Sequence, residues 1–256
     1  MSLLTVNGIR FNVQRFGRGD KTVVFVHGLV LDNLSSWYYT VANPVAKRAE
    51  VLLYDLRGHG LSEITKSGYR VEDSVADLVG ILDALEIRRP VYLIGNSYGG
   101  LVSLAFARDY PERTAGLAFV EAHFAVEGWH DKMTAKLEFA GMKMNEAPVR
   151  EWLEHKSQRN HERRFRKADY LMWETSLVDD LRAAPPVTEA ELRALRVPVL
   201  ALYGEHSDVL ARGHELQRTV RDCELHVLAD GTHSILMENT AWVKEKVLAW
   251  LERVGR

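Results

Sequence analysis

Val91-Tyr92-Leu93-Ile94-Gly95-Asn96-Ser97-Tyr98-Gly99-Gly100 joins an apolar, strand-forming run to a Gly-x-Ser-x-Gly turn, and the buried helical pattern Leu101 to Tyr110 comes next before Pro111 stops it. A serine on a sharp strand-to-helix turn is held in a strained backbone conformation. The residues two before and two after it must then be small, and Gly95 and Gly99 meet that demand. The helix starts directly under Ser97, so its dipole and the free N–H of Tyr98 face negative charge developing on a substrate oxygen. Ser97 is the expected nucleophile. A glycine-flanked serine in an ordinary turn is the bland alternative, and the strand before and helix after weigh against it.

Outward from this turn, apolar runs alternate with helical periodicity, the pattern of a largely parallel sheet covered on both faces. Asn7-Gly8 between Leu3–Val6 and Ile9–Arg15 predicts an antiparallel hairpin at the start. Thr22–Val26 and Val51–Tyr54 read as central strands, with a crossover helix over Trp37–Arg48. Val71, Val75, Leu78, Leu82 and Leu85 make one apolar helix stripe. Gly116–Val120, Val199–Tyr203 and Glu224–Leu228 continue the strands. Thr188 with Glu191 has capping-box spacing, and Val243, Val247, Trp250, Leu251 and Val254 mark a closing helix. Residues 122–187 break the rhythm and read as a helical lid inserted into a core of residues 1–121 and 188–256.

The chain of 256 residues carries 33 Lys and Arg against 35 Asp and Glu, a balance without the basic bias that draws proteins to nucleic acid or acidic lipid. No run of about 18 apolar residues suits a membrane span, and the start lacks a secretory pattern, so a cytoplasmic location is expected. One cysteine, Cys223, excludes an internal disulfide and a thiolate metal site; no metal or cofactor is expected.

Three further stretches belong with Ser97. Val23–Val26 ends in His27-Gly28-Leu29, where glycine lets the chain turn the Leu29 N–H toward the oxyanion that Tyr98 N–H would also bind. His27 reads as a structural residue, and the following loop to Trp37 as part of an acyl pocket. Asp230-Gly231-Thr232-His233 comes after the last strand, at the carboxyl edge where open α/β sheets bind ligands. Of ten histidines, His233 alone comes last in a Ser, Asp, His chain order. Asp208, ending Gly204-Glu205-His206-Ser207-Asp208, is the preferred acid to orient that imidazole. Glu121, at the end of Gly116–Val120, and Glu205 are its rivals.

Taken together, His27-Gly28, Asp55-Leu56-Arg57-Gly58-His59-Gly60-Leu61-Ser62, the Ser97 turn, Gly204 to Asp208 and Gly231-Thr232-His233 resemble the α/β-hydrolase superfamily over nearly the whole chain. The resemblance implies an eight-stranded sheet, a triad, a helical cap after the sixth strand, and a structural turn in which Arg57 and His59 brace loops. Serine at 97 separates the chain from dehalogenase and epoxide-hydrolase relatives that use aspartate there. Thr232 departs from the commoner glycine, and Asn96 is similar to carbon–carbon bond hydrolases of ring-cleavage products.

In the lid, Phe124, Trp129 and Trp152 are candidate pocket residues with Trp37. The basic run 155–167 reads as a solvated helix face, or as a docking surface for an acyl carrier protein or coenzyme A. The expected reaction is cleavage of a carboxylic ester or thioester through an acyl-enzyme. The alternatives are a thioesterase, cyclase or acyltransferase, and, in a different class, a ligand sensor retaining the pocket.

Overall fold

The computed structural model describes residues 2–124, 133, 135 and 159–254. Its sheet has eight strands in the order β1-β2-β4-β3-β5-β6-β7-β8. β1 (Ser2–Val6), β2 (Ile9–Gly17), β3 (Thr22–Val26) and β4 (Glu50–Tyr54) are followed by β5 (Val91–Asn96), β6 (Thr114–Val120), β7 (Val199–Gly204) and β8 (Cys223–Leu228). β1 pairs antiparallel to β2 and β2 to β4; every other pairing is parallel. The hairpin forms as Asn7-Gly8 predicts, with φ of 52° and 78° at the two turn residues and Val6 opposite Ile9.

Period-two alternation splits each central strand between two cores. Val24, Val26, Leu93, Leu117, Phe119, Ala201 and Tyr203 face one side, where α1 (Val71–Ala84), α2 (Tyr98–Asp109) and α6 (Leu210–Thr219) pack. Val23, Phe25, Ile94, Ala118, Val120, Leu200 and Leu202 face the other, under α7 (Ile235–Glu238), the closing helix α8 (Thr240–Arg253) and the stretch from Ser35 to Val45. That stretch is the helical crossover the sequence predicts, one continuous right-handed run whose hydrogen bonding passes from α at Ser35–Trp37 to π at Tyr38–Ala42 and back to α at Asn43–Val45, where Pro44 has no N–H to donate.

Trp37 belongs to this second core. It is fully buried, its indole N–H donates to the Val26 carbonyl at 3.1 Å, and its ring lies 5.0 Å from that of Phe25. The structure therefore corrects the pocket assignment of Trp37: the sheet needs it as packing. Phe124 is likewise 1% exposed and packs edge to face on Phe119 at 5.4 Å, a core position. Trp129 and Trp152 lie outside the described residues.

Between β6 and β7 the described residues include α3 (Arg159–Trp173), α4 (Leu177–Arg182) and α5 (Glu189–Ala194). Thr188 caps α5 in a reciprocal box with Glu191, as its spacing predicts. Among the described residues no helix is long and apolar enough to cross a membrane.

Candidate active site

Ser97 stands between β5 and α2 with φ 53° and ψ −119°, a conformation costing a residue with a β-carbon about 1–3 kcal/mol. Its surroundings over-determine it. The Ser97 N–H donates to Val120 O at 3.0 Å, and its carbonyl accepts from the N–H groups of Gly100 at 3.0 Å and His123 at 3.2 Å. A β-carbon at Gly95 would collide with the backbone of Gly99 and Gly100, and one at Gly99 with the carbonyls of Val26 and His27. The glycine spacing read from the sequence is thus a packing requirement of the turn.

His233 comes from the loop after β8 and is part-exposed. Its Nε2 lies 3.3 Å from Ser97 Oγ, and its Nδ1 lies 3.1 Å from Oε2 of Glu121. An ionised carboxylate only accepts, so Nδ1 carries the proton and Nε2 is left to accept from the serine hydroxyl. Loop packing sets this reach. Gly204 lies so close to Gly231 that a side chain there would strike the Gly231 backbone, and His206 N–H donates to Gly231 O at 2.8 Å.

The acid at the histidine is therefore Glu121, and the expectation of Asp208 is corrected. Glu121 directly follows β6, with φ 52°, and is fully buried. Its Oε1 accepts the Gly204 N–H at 2.5 Å, and its Oε2 accepts the Ser207 hydroxyl as well as His233. A buried carboxylate needs such donors to offset its desolvation. In the turn after β7 it is Ser207 that points inward, at 8% exposure, which leaves Asp208 on the exposed side. Glu205 is exposed too and accepts the Asp230 N–H at 3.1 Å. Sequence reasoning missed Ser207, and also His123, whose ring meets that of His233 edge-on at 4.9 Å. Their signal was adjacency alone, since each neighbours a residue already under consideration.

Gly28 passes against Ser97: a β-carbon on it would lie 3.4 Å from Ser97 Cβ. Its N–H donates to Asp32 Oδ2 at 2.7 Å, and its carbonyl accepts from His27 Nδ1 at 2.7 Å. Leu29 is the next residue. Across the site Tyr98 opens α2, its side chain buried and its hydroxyl 3.4 Å from Ser74 Oγ, so its backbone N–H is what it offers the site. In the Asp55 to Ser62 turn, the Asp55 carboxylate accepts from Leu34 N, Leu61 N and Asn12 Nδ2. Arg57 makes a two-pronged pair with Asp77 at 3.0 and 2.7 Å; burial pushes the Asp77 carboxyl up, and Arg57 opposes it.

Among the described residues Glu205, His206 and Asp230 form a group whose ligand atoms lie within 4.8 Å of one another. All three are exposed, on the outer rim of the loops.

A family model of the alpha/beta hydrolase fold matches residues 21–240. The chain belongs to the alpha/beta hydrolase fold family. Over 123 residues it is 38% identical to a 2-hydroxy-6-oxo-2,4-heptadienoate hydrolase of Pseudomonas putida, covering 47% of this chain and 44% of that protein. The chain thus matches less than half the length of this curated relative. This alpha/beta hydrolase also superposes on the enol-lactonase of Burkholderia xenovorans LB400 with a TM-score of 0.76 at 23% identity, covering 98% of this chain and 100% of that one. A thermophilic esterase of Thermogutta terrifontis gives 0.75 at 24% identity, with both chains fully covered. At these identities the two superpositions speak for the fold.

Proposed function

We propose that this alpha/beta hydrolase cleaves a small to medium apolar ester or thioester by acyl transfer through Ser97 to water. The observation that carries this reading is the unbroken line from Ser97 Oγ to His233 Nε2 at 3.3 Å and from His233 Nδ1 to Glu121 at 3.1 Å. His233 Nε2 takes the hydroxyl proton as Ser97 Oγ attacks the carbonyl carbon, while Glu121 stabilises the imidazolium that forms. The N–H groups of Leu29 and Tyr98 hold the oxyanion. His233 then protonates the leaving group, and a water activated by the same imidazole releases the acid. We read residues 122–187 as the inserted cap of the chain, and small-molecule acyl compounds as its substrates. A carrier-protein or coenzyme A ester is supported only by the basic run 155–167, whose Lys167 is engaged with the core instead.

The 38% identity to a dienoate hydrolase favours one second reading, hydrolysis of a carbon–carbon bond beside a carbonyl by the same three side chains. Rates on p-nitrophenyl esters of increasing chain length, acyl-coenzyme A thioesters and 2-hydroxy-6-oxo-2,4-heptadienoate, each beside Ser97→Ala, separate the two. Ester turnover at least ~1,000-fold above the Ser97→Ala variant is expected; equal rates in both proteins would overturn the assignment.

A further inference from the structure

The loop that carries Leu29 is locked at each peptide plane, and the locks lead away from the site to helix α3. In the first plane the Gly28 carbonyl is held by His27 Nδ1–H at 2.7 Å, and the other ring nitrogen of His27 accepts the Leu56 N–H at 2.9 Å. Because N–H and C=O are antiparallel in a trans peptide, pulling the Gly28 oxygen toward His27 turns the Leu29 N–H to the opposite side. In the second plane the Leu29 carbonyl accepts the Leu31 N–H at 2.9 Å, closing a three-residue turn around Val30. Val30 has φ 64°, an outlier for a β-branched residue. It is held there by His59, whose Nε2 accepts the Val30 N–H at 2.8 Å while its Nδ1–H donates to Arg57 O at 2.8 Å.

His59 belongs to the Arg57 to Ser62 turn, and α3 sits on that turn. Lys167 Nζ donates to Gly60 O at 2.7 Å and to Ser62 O at 3.1 Å, and Leu171, one helical turn on, packs against Gly58. Both imidazoles must be neutral to accept the backbone N–H groups they hold. Burial, followed by the neighbouring His27 ring 5.2 Å away, pushes His59 down to about 3.

We infer that His59 and Lys167 are positioning residues for the oxyanion site: Lys167 seats the turn under α3, and His59 on that turn fixes Val30 and with it the direction of the Leu29 N–H. This rests on the proposed hydrolysis and on Leu29 as an oxyanion donor. It places a tether between the helix of the inserted segment and the transition-state contact, through side chains that touch no substrate.

The test compares His59→Leu, similar in size but without an acceptor, with His59→Gln, whose carbonyl oxygen reaches about as far as Nε2. Lys167→Met and Lys167→Arg are the second pair. Steady-state kcat and KM on a p-nitrophenyl ester are read with thermal unfolding, and Ser97→Ala is run alongside. His59→Leu should lower kcat about 10- to 100-fold, a part of the 10²- to 10³-fold attached to one oxyanion donor, with KM within threefold. His59→Gln should recover to within about fivefold of wild type. Lys167→Met should lower kcat about three- to tenfold at nearly unchanged Tm, and Lys167→Arg should restore it. A folded His59→Leu with wild-type kcat, a loss confined to KM, or failure of folded His59→Gln to recover would each overturn the inference. Should His59→Leu not fold, wild-type kcat in Lys167→Met does the same. If Ser97→Ala keeps wild-type rates, the underlying hydrolase reading fails instead.

Discussion

Glu121→Gln replaces one carboxylate oxygen with an amide nitrogen at nearly constant volume, and the surrounding donors dictate how the amide must sit. Gly204 N–H has no freedom to accept, so the remaining amide oxygen stays at the Oε1 position, 2.5 Å from it. The NH2 group then faces the Ser207 hydroxyl, which rotates to accept, and His233 Nδ1, which accepts only by giving up its proton. The imidazole is driven to the tautomer protonated at Nε2, and that nitrogen, 3.3 Å from Ser97 Oγ, loses its capacity as a base. A forced tautomer of this kind costs on the order of 10⁴ in kcat in serine enzymes, so a loss of about 10³- to 10⁴-fold is expected, or about 4–5.5 kcal/mol of barrier. Asp208→Asn, on the exposed side of its turn, should change kcat less than about threefold. The measurement is kcat for p-nitrophenyl butyrate, with Tm as the check on folding. Glu121→Gln within tenfold of wild type at unchanged Tm, or a 100-fold loss in Asp208→Asn, would refute the reasoning.

The same contacts set two more outcomes. Trp37→Phe removes the indole N–H from a buried carbonyl and some packing volume, so it should cost about 1–3 kcal/mol in urea unfolding and leave the ester KM unchanged; a raised KM at full stability would return Trp37 to the pocket. His59 is held at about 3 in the fold against its ordinary 6.5, so between those values the unfolded chain binds the extra proton. Stability should accordingly be full above pH ~6.5 and fall on acidification by up to about 1.4 kcal/mol per pH unit toward pH 3. Urea curves at pH 7, 5 and 4 should lose less stability in His59→Gln than in wild type, and parallel losses would count against the assignment.

The sheet is legible because its signals are local. Each strand is a short apolar run next to a breaker, and the hairpin rests on two residues, Asn7 and Gly8, whose positive φ the sequence announces. The Ser97 turn is legible for a related reason: Gly95 and Gly99 mark places where only backbone fits, and that spacing survives in one dimension. Trp37 misleads because an aromatic after the His27-Gly28 loop reads the same whether it lines a pocket or lies under a sheet; only the partner across the fold, Phe25 at 5.0 Å, tells the two apart. The tight turn at Val30 is illegible too, since a valine at positive φ contradicts local preference and depends on His59, 29 residues away in sequence.

The acid illustrates the limit most clearly. Chain order admits any carboxylate between Ser97 and His233, and motif position favours Asp208 in the turn after β7. The sheet order favours the other candidate: β6 lies directly beside β5, which delivers Ser97, whereas β7 is one strand further, about 4.8 Å more. An acid leaving β6 starts between the strand that leads to Ser97 and the loops that carry His233. Glutamate, with one methylene more than aspartate, then reaches Gly204 and Ser207 on the far side while still meeting His233. Once Glu121 fills that volume, the turn after β7 contributes a hydroxyl rather than a second carboxylate, because two buried like charges at one imidazole would repel. Ser207 pointing in and Asp208 pointing out are thus consequences of Glu121.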